Sequence, residues 1–174
     1  SGHHSFYILF QRTRRQGEAQ KPDIITQPAG AFRFEVWPTE QQTITQRFGD
    51  NPADYAQFNM AGHEGIDIAA NLGSRLFCVA PGQVKMVQPD PNVHNYGIHV
   101  RVQHRDGYET IYAHLERALV EPGQTVAAGH VLGLADHTGN SRGDHLHLTL
   151  KHAGENVAGY PGNIIDPLPF LQPL

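Results

Sequence analysis

Two histidines separated by one residue, His145 and His147, are the side chains of this sequence best suited to metal chemistry. If the surrounding segment is a β-strand, three leucines fall on one face, and the other face carries His145, His147, Thr149 and Lys151. Two imidazoles on one strand face lie ~7 Å apart, so one can bind a metal while its neighbour lies over the metal's open position. The pattern therefore predicts a core face of leucines and a candidate metal site opposite it.

A second group lies between Gly62 and Asp67, where His63 and Asp67 are four residues apart. Gly65 and the β-branched Ile66 favour a strand over a helix. In an extended strand the two side chains would lie ~13 Å apart, which is too far for bonds of ~2 Å to one metal. A shared metal therefore requires a bend, which Gly62 and Gly65 permit. The alternative is a glycine-rich loop that exposes a histidine and an aspartate.

A third group alternates along the segment from Tyr108 to His114, where Tyr108, Thr110, Tyr112 and His114 are expected to share one strand face. A polar, aromatic face that ends in a histidine can be a solvated strand, or it can be the wall of a cleft.

Together these groups predict a catalytic zinc site. His63, Asp67 and one histidine of the 145/147 pair supply three nitrogen and oxygen ligands, and three ligands with an open position are typical of catalytic zinc. The single cysteine, Cys78, excludes an internal disulfide and a thiolate site. Zinc can activate water for attack on an amide carbonyl near neutral pH. His114 and the remaining histidine can accept the proton and stabilise the oxyanion.

The rest of the sequence predicts an all-β fold, mainly an antiparallel sheet with long loops flanking a groove. Charged residues make up only 17% of the chain, which also contains 18 glycines and 12 prolines. Asp106-Gly107 predicts a hairpin, and Asn51-Pro52 predicts the start of a short helix. Nine strands are predicted, at 32–37, 43–48, 66–69, 75–80, 83–87, 97–103, 108–114, 131–135 and 145–151.

Residues 1–30 show no sustained period and are interpreted as an arm or linker, followed by one domain at 31–174. The formal net charge of −4 argues against a nucleic-acid partner, and no apolar run is long enough to span a bilayer. We expect a monomer. The other histidines have no motif around them and are expected at the surface: His94, His99, His104, His130, His137 and His152.

Three motifs carry a family resemblance, in the order in which the family has them. They are His63-x-x-x-Asp67, Tyr112-Ala-His114, and Thr138-Gly-Asn-Ser followed by His145-x-His147. The sequence from about residue 40 to 171 resembles the lysostaphin-type (LytM-type) zinc metallopeptidases.

The resemblance implies roles for five residues. His63, Asp67 and His147 would bind Zn²⁺, while His114 and His145 would be the catalytic histidines. It also implies a zinc endopeptidase that cleaves cross-links or stem peptides of bacterial peptidoglycan outside the cytoplasm. The bond cleaved and the histidine that acts as general base stay open.

Other readings compete with this one. The His-Glu-x-x-His signature is absent because position 67 is Asp, so Glu64 is expected to be a solvated neighbour of the ligand rather than a general base. A cupin-like barrel would need a glutamate near Lys151. Tyr55 is a candidate, by position only, for stabilising the transition state. The main rival is a non-catalytic member of the same fold, which would bind peptidoglycan or activate an amidase; such members usually lack one or more ligands.

Overall fold

A computed structural model describes residues 30–139 and 141–171 of the chain. Apart from Gly30, the predicted arm lies outside these residues, and the proposed domain boundary stays a prediction. Within the described residues ten strands form one antiparallel sheet. They are β1 (Ile44–Gln46), β2 (Ile66–Ala69), β3 (Arg75–Phe77), β4 (Gly82–Gln88), β5 (Ile98–Gln103), β6 (Tyr108–Ala118), β7 (Thr125–Val126), β8 (Val131–Ala135), β9 (His145–His152) and β10 (Ile164–Ile165).

The main path of the sheet runs in the order β1-β2-β9-β6-β5-β4-β7. β10 adds to β9, while β8 pairs with both β3 and β6. The predicted antiparallel all-β fold is confirmed, as is the hairpin at Asp106-Gly107, which joins β5 to β6. β2, β9 and β6 are neighbours in the sheet and carry Asp67, the His145/His147 pair and His114.

Helix contributes little to the described part of the chain. The helix α1 (Pro52–Tyr55) begins where the sequence predicts, with Pro52 in the first turn. Asn51 precedes it with φ of 55°, a left-handed conformation that Asn adopts more readily than most residues. Short 3-10 turns occur at Ala56–Phe58, Arg105–Gly107 and Leu168–Phe170. None of the described helices is long and apolar enough to cross a membrane.

The strand predicted at 32–37 is wrong. Phe32 and Phe34 are buried, and the Phe32 ring stacks on Tyr108 with centroids 4.2 Å apart. The segment is irregular, and its backbone amides at Phe34 and Glu35 bond to the carbonyls of Phe170 and Val79. The alternating aromatic residues of this segment therefore reflect packing of their side chains onto the core, and not the hydrogen bonding of a β-strand. The two-residue strands β7 and β10 were not predicted, because such short runs carry no period.

The core face of β9 is as predicted: Leu146, Leu148 and Leu150 are fully buried. Ile66 and Ile68 of β2 are opposite Leu148 and Leu146 and are also fully buried. Full burial of one such side chain contributes about 1.5–3 kcal/mol relative to an exposed one. This apolar layer lies behind the histidine-bearing face of the same strands.

Tyr108, Thr110 and Tyr112 share one face of β6 as predicted, but this face packs on the core rather than facing solvent or a cleft, and His114 does not share it. Tyr112 is opposite Leu148, so it shares the core face with the leucines and is fully buried. Its hydroxyl accepts hydrogen bonds from the Val79 amide (3.0 Å) and from Thr110 (3.1 Å). Burial raises the pKa of Tyr112 well above its ordinary value. A tyrosine on a core face is tolerated here because its hydroxyl is hydrogen-bonded.

Two histidines expected at the surface are also buried. His104 is 6% exposed, with ring nitrogens bonded to the Pro81 carbonyl and to Thr110. His99 is 1% exposed, and one ring nitrogen bonds to the Gly97 carbonyl. Burial lowers the pKa of both imidazoles. Both rings therefore act as neutral packing groups, which composition alone did not reveal.

We predict that Tyr112→Phe lowers the free energy of unfolding by about 1–3 kcal/mol, because the Val79 amide would lose its buried acceptor. Urea denaturation measures this change. Tyr108→Phe on the same strand is the matched control, since the Tyr108 hydroxyl makes no hydrogen bond within the described part of the chain. Equal effects of the two substitutions would contradict the assignment.

Candidate metal centre and catalytic groove

Strand register brings two of the predicted ligands together. Asp67 of β2 is the direct antiparallel partner of His147 of β9, so both side chains project from the same face. The Asp67 Oδ1 and His147 Nδ1 atoms are 3.0 Å apart. Asp67 is 9% exposed and His147 is 4% exposed. The pairing of β2 with β9 therefore defines two of the three corners of the candidate metal centre.

His63 completes this cluster from the loop before β2. Its Nε2 atom lies 2.9 Å from His147 Nδ1 and 3.2 Å from Asp67 Oδ1. The predicted bend between His63 and Asp67 is therefore present. A side chain at Gly65 would overlap the Leu148 carbonyl oxygen, and one at Gly62 would overlap the backbone of Gly49. The two glycines are thus needed for close backbone approach, which lets the loop turn back onto β9.

The chemistry of these three atoms fits a metal. The other nitrogen of the His63 ring bonds to the Arg47 carbonyl at 3.2 Å, and that of His147 bonds to Thr149 Oγ1 at 2.9 Å. A neutral ring that donates outward presents a lone pair inward. Two lone pairs and a carboxylate then converge within 3.2 Å, close to the ~3.3 Å ligand spacing of tetrahedral zinc with bonds of about 2.0–2.1 Å.

The pKa shifts of Asp67 and His147 reflect the close contact between the carboxylate and the imidazoles. Burial raises the pKa of Asp67, but hydrogen bonds from His147 and His63 outweigh it and leave that pKa well below its ordinary value. Burial lowers the pKa of His147, yet the hydrogen bond and charge of Asp67 raise it overall. A bound cation satisfies all three groups at once.

His114 reaches the same face through a break in the regular strand. Between its pairings with Ile98 and Val100, β6 contains an extra residue, and His114 has φ of 63°. A bulge of this kind re-aims a side chain, and positive φ in a non-glycine residue is a strained conformation often found at functional sites. His114 therefore faces the metal cluster, although Tyr112 two residues earlier faces the core. Its ring centroid lies 5.9 Å from that of His147.

The two predicted catalytic histidines are held in the same way. The Nδ1 of His114 bonds to the Thr138 carbonyl, and that of His145 bonds to the Gly143 carbonyl at 2.8 Å. In each ring the Nε2 atom is therefore directed away from that carbonyl, and His145 Nε2 lies 3.5 Å from Asp67 Oδ1. The ring centroids of His114 and His145 are 5.1 Å apart. Burial, followed by the nearby His147, lowers the pKa of His114 to about 3, so this imidazole is neutral at pH 7.

The segment from Thr138 to Ser141 positions both of these histidines. Thr138 Oγ1 accepts the Ile98 amide and donates to the Leu115 carbonyl, which fixes the segment to β5 and β6. A side chain at Gly139 would overlap the amide of Gly97. Further along, Ser141 Oγ lies 3.3 Å from His145 Nδ1. The Thr-Gly-x-Ser motif therefore supplies anchors and carbonyls rather than metal ligands.

Three polar residues near the cluster were missed or misjudged from sequence. Glu64 was expected to be solvated, but it is 8% exposed, and its Oε1 lies 3.6 Å from His147 Nε2. The Thr149 hydroxyl forms a hydrogen bond with His147 Nε2 and also contacts the Tyr96 hydroxyl at 3.3 Å. The alternation of β9 predicts that Thr149 shares a face with His147, but not that its hydroxyl contacts the His147 ring. No local sequence pattern indicated Glu64 or Tyr96.

The five predicted residues line one groove of about 640 Å³. Residues 51–60, between β1 and β2, line one side, and His94, Asn95 and Tyr96, before β5, line the other. Tyr55 is among the lining residues, with its ring centroid 5.5 Å from that of His63. Burial and the charges of Asp67 and Glu64 raise its pKa to about 12, so its hydroxyl stays protonated. The predicted groove and long flanking loops are therefore present.

Comparison with known proteins identifies the class to which this chain belongs. Residues 61–159, more than half of the chain, match peptidase family M23, and the chain is a member of that family. It is 33% identical over 132 residues to the peptidoglycan DD-endopeptidase ShyA of Vibrio cholerae, covering 75% of this chain and 30% of ShyA. It is 32% identical over 130 residues to the murein hydrolase activator NlpD of Salmonella dublin, again covering 75% and 30%.

The chain thus spans about a third of the length of these curated relatives. Among solved structures, it resembles a zinc-containing peptidase from Vibrio cholerae, with 27% identity, a TM-score of 0.63, and coverage of 78% of this chain and 39% of that one. The catalytic domain of lysostaphin from Staphylococcus simulans shares the fold, with 21% identity, a TM-score of 0.54, and coverage of 80% and 88%. The predicted family resemblance is confirmed.

We predict that Gly65→Ala weakens zinc binding by at least about tenfold, because the new methyl group would lie 2.9 Å from His147 Cε1 and displace that ring. Competition with a chromogenic chelator measures the affinity. Gly162→Ala is the matched control, since Asn156 Oδ1, 3.9 Å away, is the nearest atom its methyl group would meet. Unchanged affinity in Gly65→Ala would contradict the proposed geometry.

Proposed function

We propose that this chain is a zinc-dependent endopeptidase that hydrolyses peptide bonds in bacterial peptidoglycan. One observation carries the proposal. The nitrogen and oxygen atoms of His63, Asp67 and His147 converge within 3.2 Å, and the Nε2 atoms of His114 and His145 belong to the same groove. This proximity supports a Lewis-acid site with two proton-transfer groups beside it.

In this proposal His63, Asp67 and His147 hold the metal. Zinc, when bound, supplies Lewis acidity that activates water and polarises a carbonyl near neutral pH. Thr149 and the Arg47 carbonyl keep the two imidazoles in the orientation that presents a lone pair to the metal. Two neutral ligands and one carboxylate leave a net positive charge of one on the bound ion, which favours an electrophilic role.

His114 and His145 carry the proton transfers. Their Nδ1 atoms are occupied by backbone carbonyls, so each ring can accept or donate only through Nε2. One of them takes the proton of the attacking water on its Nε2 and passes that same proton to the leaving amine, while the other, when its Nε2 carries a proton, stabilises the oxyanion. Because both rings bond to a backbone carbonyl through Nδ1, experiment must decide which of the two histidines acts as the general base.

The substrate class follows from the groove and the relatives. An open, strand-lined groove accommodates an extended peptide, and the ShyA relative is a peptidoglycan DD-endopeptidase. Because peptidoglycan lies outside the cytoplasm, we place the protein there, and we expect it to act as a monomer.

The NlpD likeness supports a second candidate function, in which the domain activates a murein hydrolase without cleaving peptides itself. The complete set of five polar side chains favours catalysis, because a purely binding domain has no need of a buried His-Asp-His cluster. Zinc analysis of purified protein, together with peptide release from isolated sacculi, separates the two functions. Metal-free, folded protein that stimulates an amidase would favour the activator.

We predict that the histidines separate into two groups when each is replaced by alanine. His147→Ala should lose zinc and activity together, because one ligand of the cluster is removed. His114→Ala and His145→Ala should keep zinc, while kcat falls by about 10²–10⁴-fold through loss of proton transfer. Metal analysis and hydrolysis of a defined muropeptide measure the two properties.

His130→Ala is the control for these variants, since His130 is an exposed histidine outside the groove. It should keep both zinc and full activity. A His145→Ala protein with full zinc content and unchanged kcat would refute the role proposed for His145.

A further inference from the structure

The floor of the groove continues from the metal cluster along β9 to a second group of charged side chains. Lys151 lies four residues after His147 on the same strand face, ~13 Å farther along β9. Arg101 of β5 is opposite Ile111 of β6, which is in turn opposite Thr149, so all three side chains share this face. Both cations line the groove.

These two cations are poorly neutralised by the protein. The carboxylate beside them, Glu109, is bound by Lys85 at 2.6 Å and lies 3.8 Å from the Arg101 Nη1 atom. Arg101 Nε is buried and has no hydrogen-bond partner within residues 30–139 and 141–171. The Lys151 side chain makes no hydrogen bond or ion pair with the same residues. Glu109 therefore contacts two cations, Lys85 and Arg101, and Lys151 is left without an ion-pair partner among these residues.

We propose that Arg101 and Lys151 form a subsite for a free carboxylate of the peptide substrate. The guanidinium matches a carboxylate in a two-pronged geometry, and a buried donor without a partner is costly until an acceptor reaches it. Ile111 and Ile164 line the groove beside the cations and suit the aliphatic part of the same substrate residue. The inference rests on the proposed function in that the ligand is a peptide.

The distance along β9 places this carboxylate relative to the cleaved bond. An extended peptide rises about 3.3 Å per residue, so ~13 Å corresponds to about four residues or to one long side chain plus two residues. The carboxylate is therefore either that of an acidic side chain or the α-carboxylate at the end of a short peptide. Both have the same chemistry, and substrates can distinguish them.

The test compares four synthetic peptides of one sequence. Its side-chain carboxylate and C-terminal carboxylate are each left free or converted to a carboxamide. The protein should cleave a peptide with the recognised carboxylate with about tenfold higher kcat/KM than the doubly amidated peptide, as expected for loss of a charged hydrogen bond. The two singly amidated peptides show which carboxylate is recognised.

Lys151→Gln and Arg101→Gln should reduce this preference, and the double variant should remove it, while cleavage of the doubly amidated peptide stays close to the parent rate. Lys151→Gln leaves the Glu109 pairs intact and therefore tests the subsite without disturbing a buried charge. Arg117→Gln, which removes an exposed cation of β6 outside the groove, should keep the full preference.

Equal kcat/KM for all four peptides would overturn the subsite. It would also be overturned if Lys151→Gln lowered kcat/KM for the doubly amidated peptide as much as for the peptide with the recognised carboxylate. If none of the peptides is cleaved, the proposed function fails. The subsite is then decided by calorimetric binding of the same peptides: an affinity difference that Lys151→Gln removes supports it, and equal or undetectable binding of all four rejects it.

Discussion

The register between β2 and β9 is the constraint on which the candidate site depends. It places Asp67 opposite His147 and, one residue away in each direction on the other face, isoleucines opposite leucines. Because side chains alternate with a period of two, a slip of one residue would bury the imidazoles and expose three leucines. At about 1.5–3 kcal/mol for each leucine, that exchange would cost roughly 5–9 kcal/mol, comparable to the whole stability of a small domain. The apolar face therefore fixes the register that brings Asp67 and His147 together.

A second constraint concerns the side chains that are to move protons. His114 lies on a strand whose regular alternation would send its ring into the core beside Tyr112. The bulge and the left-handed backbone at His114 reverse that direction at an energetic cost of about 1–3 kcal/mol. The cost is sustained because the surrounding pairings of β6 with β5 and β9 are extensive. Among the residues of the described strands only His114 has a positive φ, so this backbone strain lies at a residue with a proposed role in catalysis.

The sequence predicts the parts of this arrangement that depend on local periodicity. The two faces of β9, the hairpin after β5 and the bend between His63 and Asp67 all follow from the spacing of apolar residues and glycines. That His114 faces the groove while Tyr112 faces the core could not be predicted in this way, because a bulge is a property of two paired strands and leaves no mark on one of them. The burial of Glu64 and His104 was missed for a related reason: each is buried by residues distant in sequence, such as His147 and Pro81.

The loop from Thr138 to Gly143 connects these two constraints. Its carbonyls hold the rings of His114 and His145, which belong to different strands, so the relative position of the two Nε2 atoms depends on one short segment. That segment is itself fixed by Thr138 to the strands that carry the bulge. A substrate peptide lying along β9 would contact this loop at one end and the cations of the opposite end at the other. Its orientation would then be set by charge, and the carbonyl to be attacked would be set by the distance between the two ends.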